Sequence, residues 1–186
     1  MDFYNNVILP RLCHLAMRNR RLVPYRERVI GGAEGRVLEI GIGSGLNLPF
    51  YRAPVSEIVA LEPAPPLIAM ARRSVQPTAM RVSFIEGSAE AIPLDDHSID
   101  TVVTTWTLCT IPQVANALGE MRRVLKPGGR LLFVEHGMCI SGGCHLNRPI
   151  QTIIERAGFR CDRLETGYMP GPKPMAFIYE GSVRPD

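Results

Sequence analysis

Short runs of β-branched and apolar residues alternate with stretches of helical period along most of this chain. The runs at about 36–40, 57–61, 81–85, 100–105, 129–135, 159–165 and 174–180 read as strands, and the periodic stretches at about 65–75, 113–125 and 148–157 as helices. A further helical stretch covers about 3–30, with a break expected near Pro24. Strands and helices taken alternately predict an α/β fold, a doubly wound, seven-stranded and mostly parallel sheet with helices on both faces. Two helix ends carry their own stop signals: Lys126-Pro127-Gly128-Gly129 after Met121, Val124 and Leu125, and Gly158 after Ile150, Ile153 and Ile154. The last strand follows Pro170-Gly171-Pro172-Lys173-Pro174, a turn-rich tract that predicts a hairpin-like return and hence an antiparallel last strand.

With 186 residues, 46% of them hydrophobic, the chain suits one core, divided here into a helical cap over 1–30 and a main domain over 31–186. The cap combines Val7, Ile8, Leu9, Leu12, Leu15 and Ala16 with Arg18, Arg20 and Arg21, and has two readings. Its apolar face packs on the domain with the arginines in water, or it lies on a membrane surface; Pro10 and Pro24 shorten the amphipathic stretch and favour the first.

Charge narrows the partners. A net charge of +3 is too small for the dense basic surface of a nucleic-acid binder, so no nucleic acid is expected. Five cysteines, Cys13, Cys109, Cys139, Cys144 and Cys161, show no CxxC spacing, which argues against a disulfide framework or a metal site and for a reducing, cytoplasmic setting. No apolar run approaches the roughly 20 residues of a membrane span, and no secretory leader is read. Nothing in the pattern fixes the oligomeric state.

The candidate chemistry begins where the strand Val37-Leu38-Glu39-Ile40 runs into Gly41, Gly43 and Gly45. Glycines at a strand-to-turn junction let a ligand approach the backbone, although such turns also form for packing alone. Leu46 stands where a dinucleotide fingerprint wants its third glycine, which disfavours a nicotinamide-dependent oxidoreductase. Glu39 points the same way, because a carboxylate there suits a cationic ligand and repels a pyrophosphate. Glu62 closes the second strand about 20 residues further on, where an acid accepts both hydroxyls of a ribose or simply meets solvent.

Val37 to Gly45, Glu62, Gly87-Ser88-Ala89-Glu90-Ala91-Ile92-Pro93, the strand from Asp100, and Val124 to Leu131 together resemble the class I S-adenosylmethionine-dependent methyltransferases, near the ubiquinone and menaquinone C-methyltransferases. The resemblance implies that S-adenosylmethionine binds with Glu39, Gly41, Gly43 and Gly45 around its methionine moiety, Glu62 on its ribose and Ser88 and Ala89 against its adenine. Ser44, Asn47 and Pro63 join that set, and Thr104, Thr105 and Trp106 border the reactive methyl group. Many relatives carry Asp where this chain has Ser88, which weakens the expected adenine contact.

Asn47 to Tyr51, Leu108-Cys109, Glu135-His136 and Gly143 to Arg148 look in addition like the thiol S-methyltransferases of animals and their bacterial relatives. Those animal proteins begin with a membrane anchor, which is not read here. They also carry a longer insertion where this chain has only Gly137 to Gly142, so thiol specificity does not carry over.

Methyl transfer from a sulfonium needs positioning and exclusion of water more than a base, and the acceptor sets how much deprotonation is required. His136, directly after a strand at the carboxyl edge of the sheet, suits either a base or a loop-fixing histidine. His145 and His14 are weaker candidates, and His97 reads as a turn residue. Cys109 and Cys144 read as packing, while Trp106 serves equally as a pocket wall or as core. The expected activity is methylation of a small, apolar acceptor (a thiol, a quinol or phenol, or a lipid) with S-adenosylhomocysteine as product. The alternative is an S-adenosylmethionine-binding module of reduced activity that works with a partner protein.

Overall fold

The computed structural model describes residues 8–75, 80–136, 149–169 and 177–186. Seven strands, β1 (Gly35–Ile40), β2 (Val55–Glu62), β3 (Arg81–Glu86), β4 (Ile99–Thr105), β5 (Leu125–His136), β6 (Phe159–Tyr168) and β7 (Phe177–Pro185), form one sheet in the order β3-β2-β1-β4-β5-β7-β6. β1 to β5 pair in parallel, and β7 lies antiparallel between β5 and β6. The doubly wound sheet with an antiparallel last strand is therefore the observed fold. β7 runs to Pro185, five residues beyond the predicted end: Gly181 and Ser182 interrupt the apolar pattern, yet they stay paired with Phe133 and Leu132 of β5. Glycine is needed at 181: a Cβ would stand 2.4 Å from the carbonyl oxygen of Arg163 and 3.0 Å from the Phe133 ring.

Period-two alternation assigns the side chains to the two faces. Leu38, Val102, Leu131 and Phe133 face α4 (Val114–Val124) and α5 (Ile150–Arg156), packing with Leu118, Met121 and Ile154. Val37, Val103, Leu132 and Val134 face the other side, where α2 (Val23–Ile30) contributes Val29 and Ile30. α3 (Pro65–Ser74) follows β2 and sets Ala71 against Ala60. The stop signals act as read: α4 ends at Val124, Lys126 to Gly129 form an irregularity at the start of β5, and Gly158 adopts φ +80° after α5.

The cap departs from expectation in two ways. Its break falls at Arg18 and Asn19, between α1 (Leu9–Met17) and a 3-10 turn at Arg20–Leu22, where the Asn19 side chain accepts the Arg21 N–H at 3.0 Å. Pro24 instead sits in the first turn of α2, where its missing N–H costs nothing. The expected packing of the apolar face also fails for α1. Leu12 and Leu15 are 52% and 69% exposed, and only Pro10 of the helix is buried. No helix among the described residues is long and apolar enough to cross a membrane.

Candidate functional site

The site grows from the carboxyl ends of β1, β2, β4 and β5, beside the point where the sheet order reverses between β1 and β4. Beyond Ile40 the chain turns with Gly41 at φ +68° and Gly43 at φ +55°, and the N–H groups of Gly41 and Ile42 both reach the Leu61 carbonyl, at 2.8 and 3.2 Å. A Cβ on Gly41 would strike the Thr107 side chain at 2.6 Å, whereas one on Gly43 would meet only the Gly41 carbonyl oxygen, at an ordinary 3.9 Å. Gly41 thus serves close packing, and Gly43 leaves the face of the loop uncrowded. No α-helix follows: a 3-10 turn at Leu48–Phe50 leads on to β2.

Glu62 fastens this loop. Its two carboxylate oxygens accept the N–H groups of Gly43 at 3.0 Å and Ala64 at 3.1 Å, while burial raises its pKa. Each oxygen keeps a further lone pair for a hydroxyl.

Two adjoining cavities flank Gly41. The smaller, about 240 Å³, is lined by Glu62, Pro63, Ser88 and Ala89 together with Leu67, Ile111 and Pro112. The larger, about 310 Å³, is lined by Gly43, Ser44, Asn47, Thr105, Trp106 and His136. Gly41, Leu67, Thr107 and Thr110 line both. Three expected site residues stay outside. Glu39 lies buried beneath the loop, Gly45 packs against Ala71 of α3, and Thr104 faces the opposite side of the sheet from Thr105 and hydrogen-bonds to Glu135. Ser88 caps its own turn by accepting the Glu90 N–H at 3.1 Å.

Arg26 of α2 and Cys13 and Met17 of α1, none of them read as site residues from the sequence, complete the larger cavity together with His14 of α1, one of the weaker candidates. Arg26 is only 4% exposed. The legible signal was its position on the helical face of Leu22, Val29 and Ile30, all buried. Its guanidinium donates to Asn47 Oδ1 and, at 3.2 Å, to the Met17 carbonyl, and lies 4.8 Å over the Trp106 ring. Asn47 Nδ2 in turn donates to Glu39 Oε1 at 2.7 Å and to Thr105 Oγ1 at 2.9 Å, and Tyr51 Oη donates to Glu39 Oε2 at 2.8 Å. Burial pushes Glu39 up to about 7 and Arg26 down to about 10. His14 Nδ1 and Ser44 Oγ are 2.7 Å apart, which holds α1 over the glycine loop.

His136 ends β5 on the cavity side, its ring 6.1 Å from that of Trp106, and burial lowers its pKa so that the neutral imidazole predominates. Its Nδ1 has no hydrogen-bond partner among the described residues, nor has Trp106 Nε1. The preceding Glu135 faces the other way and accepts from the N–H groups of Thr107 and Leu108 at 3.1 and 3.2 Å, shaping the turn that follows Trp106. His97 is the turn residue expected, at φ 52° with Nδ1 2.8 Å from the Leu125 carbonyl, and Cys109 is buried. His145, Cys139, Cys144 and the 137–142 link lie outside the described residues.

A protein family described as a methyltransferase domain matches residues 38–133. A demethylmenaquinone methyltransferase of Thermus thermophilus is 39% identical over 105 residues, which are 55% of this chain and 48% of that protein. A thiol S-methyltransferase of Rattus norvegicus is 32% identical over 161 residues, 75% of this chain and 65% of that protein. The chain thus spans about half to two thirds of the length of these relatives. The solved structure of an S-adenosylmethionine-dependent methyltransferase from Aquifex aeolicus superposes with a TM-score of 0.71 at 19% identity, over 93% of this chain and 97% of that one, and shares its fold.

Proposed function

Because this chain belongs to the class I S-adenosylmethionine-dependent methyltransferases, we propose that it binds S-adenosylmethionine across the two cavities and methylates a small, apolar acceptor. The observation that carries this reading is the junction at Gly41, where an open glycine loop, a buried carboxylate and two cavities meet. When bound, the donor supplies a methyl group already activated by its sulfonium. What remains for the protein is to bind, orient and keep water away.

Glu62 receives the ribose hydroxyls on its spare lone pairs, and Pro63, Ser88 and Ala89 with Leu67 and Ile111 form a slot of suitable apolarity for the adenine. Gly41, Gly43 and Ser44 present main chain to the methionine moiety. Arg26, with two of its five N–H donors engaged among the described residues, pairs with the carboxylate of that moiety. Glu39 and Gly45 act at one remove, Glu39 by holding Asn47 and Gly45 by seating the loop on α3. Thr105 and Trp106 border the methyl group, with Thr104 anchoring Glu135 behind them. His136, neutral and in the same cavity, takes the proton of an acceptor that must lose one.

Calorimetry with S-adenosylmethionine and a reduced nicotinamide cofactor, followed by tritium transfer to thiols, quinols, phenols and lipids, tests the reading. Donor binding with transfer to at least one class is expected. No donor binding refutes it, and binding without transfer to any acceptor would favour a donor-binding module that serves a partner.

A further inference from the structure

The cap holds an unexplained surface. Ile8, Leu9, Leu12 and Leu15 are 37%, 39%, 52% and 69% exposed, and they stand at i, i+1, i+4 and i+7 on and just before α1. Four of the five large apolar side chains most exposed among the described residues therefore form one stripe. Exposure does not come from a detached helix, because Cys13, His14 and Met17 on its other side line the larger cavity and His14 meets Ser44.

The charge beside the stripe names the partner. Arg11, Arg18, Arg20 and Arg21 are all exposed, and no acidic residue occurs from residue 8 to residue 26. Apolar side chains next to an uninterrupted basic cluster complement a surface that is hydrocarbon just below a layer of phosphates. A soluble protein partner would need acids matched to each arginine, and a second copy of this chain would set arginine against arginine.

We propose that α1 lies on the surface of an anionic phospholipid bilayer, with Ile8, Leu9, Leu12 and Leu15 in the headgroup–acyl boundary and the arginines on the lipid phosphates. α1 then stands between the lipid and the larger cavity, so an apolar acceptor dissolved in the membrane has only one helix to pass to reach the site; that consequence, unlike the docking, rests on the methyltransferase reading.

Co-sedimentation of the full chain with vesicles of phosphatidylcholine alone and of phosphatidylcholine mixed with phosphatidylglycerol tests the docking. Binding to the anionic vesicles is expected, weaker in high salt and about tenfold or more below wild type for Leu12→Glu/Leu15→Glu. Both leucines are largely in water, so the variant should melt at the wild-type temperature and bind S-adenosylmethionine as wild type does. Absence of anionic-vesicle binding, equal binding by the variant, or a dimer in sedimentation velocity that the variant abolishes would each overturn the proposal. The donor measurement keeps its failure separate from that of the methyltransferase reading.

Discussion

Asn47 donates from Nδ2 to Glu39 Oε1 at 2.7 Å, tying the far end of the glycine loop to the strand that launches it. The same amide serves Thr105 and receives Arg26, so one buried side chain links β1, β4 and α2. Asn47→Ala strips a partner from a buried carboxylate and from a buried guanidinium at once. It should cost roughly 2–4 kcal/mol of stability and loosen the loop enough to weaken donor binding. Urea unfolding and calorimetry on the same preparation check both effects, and a loss below about 0.5 kcal/mol would mean the network carries no structural weight.

The two loop glycines should separate stability from binding. Gly41→Ala adds a Cβ at φ +68° within 2.6 Å of Thr107 and should destabilise the fold by more than about 2 kcal/mol. Gly43→Ala meets no atom nearer than 3.9 Å, so only the left-handed backbone penalty of about 1–2 kcal/mol applies, while its methyl group intrudes on ligand space. Donor affinity is therefore expected to fall more for Gly43→Ala, and stability more for Gly41→Ala. The reverse ranking in melting and calorimetry would contradict the assigned roles.

The strands and the glycine loop were legible because each is written locally, in period-two runs and in glycines after a strand. Glu62 and His136 were legible as residues at strand ends. Glu39 was harder to place: a strand's alternation shows that its side chain leaves the sheet, but its partners Asn47 and Tyr51 come from a loop whose path no pattern predicts. Thr104 and Thr105 show the limit of reading neighbours as a pair, since adjacent strand residues face opposite ways. Arg26 joins the site through tertiary packing of α2, and the exposed stripe of α1 is visible only once the helix is seen to turn a different side inward.

Arg26 gives a prediction that uses the ligand as the probe. If its guanidinium holds the donor's carboxylate, wild-type protein should bind decarboxylated S-adenosylmethionine about 10–100-fold more weakly than the intact donor. Arg26→Met should erase that difference by weakening only the intact donor. Equal affinities for the two ligands in the wild type would remove Arg26 from the binding set.

Glu62 should be a binding residue rather than a turnover residue. Glu62→Ala removes the acceptor of two backbone N–H groups and of the ribose hydroxyls, and is expected to weaken donor affinity by about 10–100-fold. Adenosine should lose a similar factor, whereas 2′,3′-dideoxyadenosine should bind both forms alike. A loss that is the same for both nucleosides would assign Glu62 to loop structure alone.

Stability should depend on pH through Glu135. Burial is the largest influence on this carboxyl and pushes it from 4.5 up to about 7, outweighing the hydrogen bonds from Thr104, Thr107 and Leu108. The folded chain then keeps a proton that the unfolded chain releases, so stability is full below about pH 4.5 and is lost as pH rises through about 7. Glu135→Gln keeps an amide oxygen for the same donors and has no charge to bury. It should be more stable than wild type at pH 8 by roughly 1–3 kcal/mol and nearly equal to it at pH 5. Glu39, pushed up to about 7 in the same way, leaves the variant a residual slope. Denaturant unfolding at a series of pH values distinguishes the outcomes. A Glu135→Gln curve parallel to wild type would show that this carboxyl enters the fold already ionised.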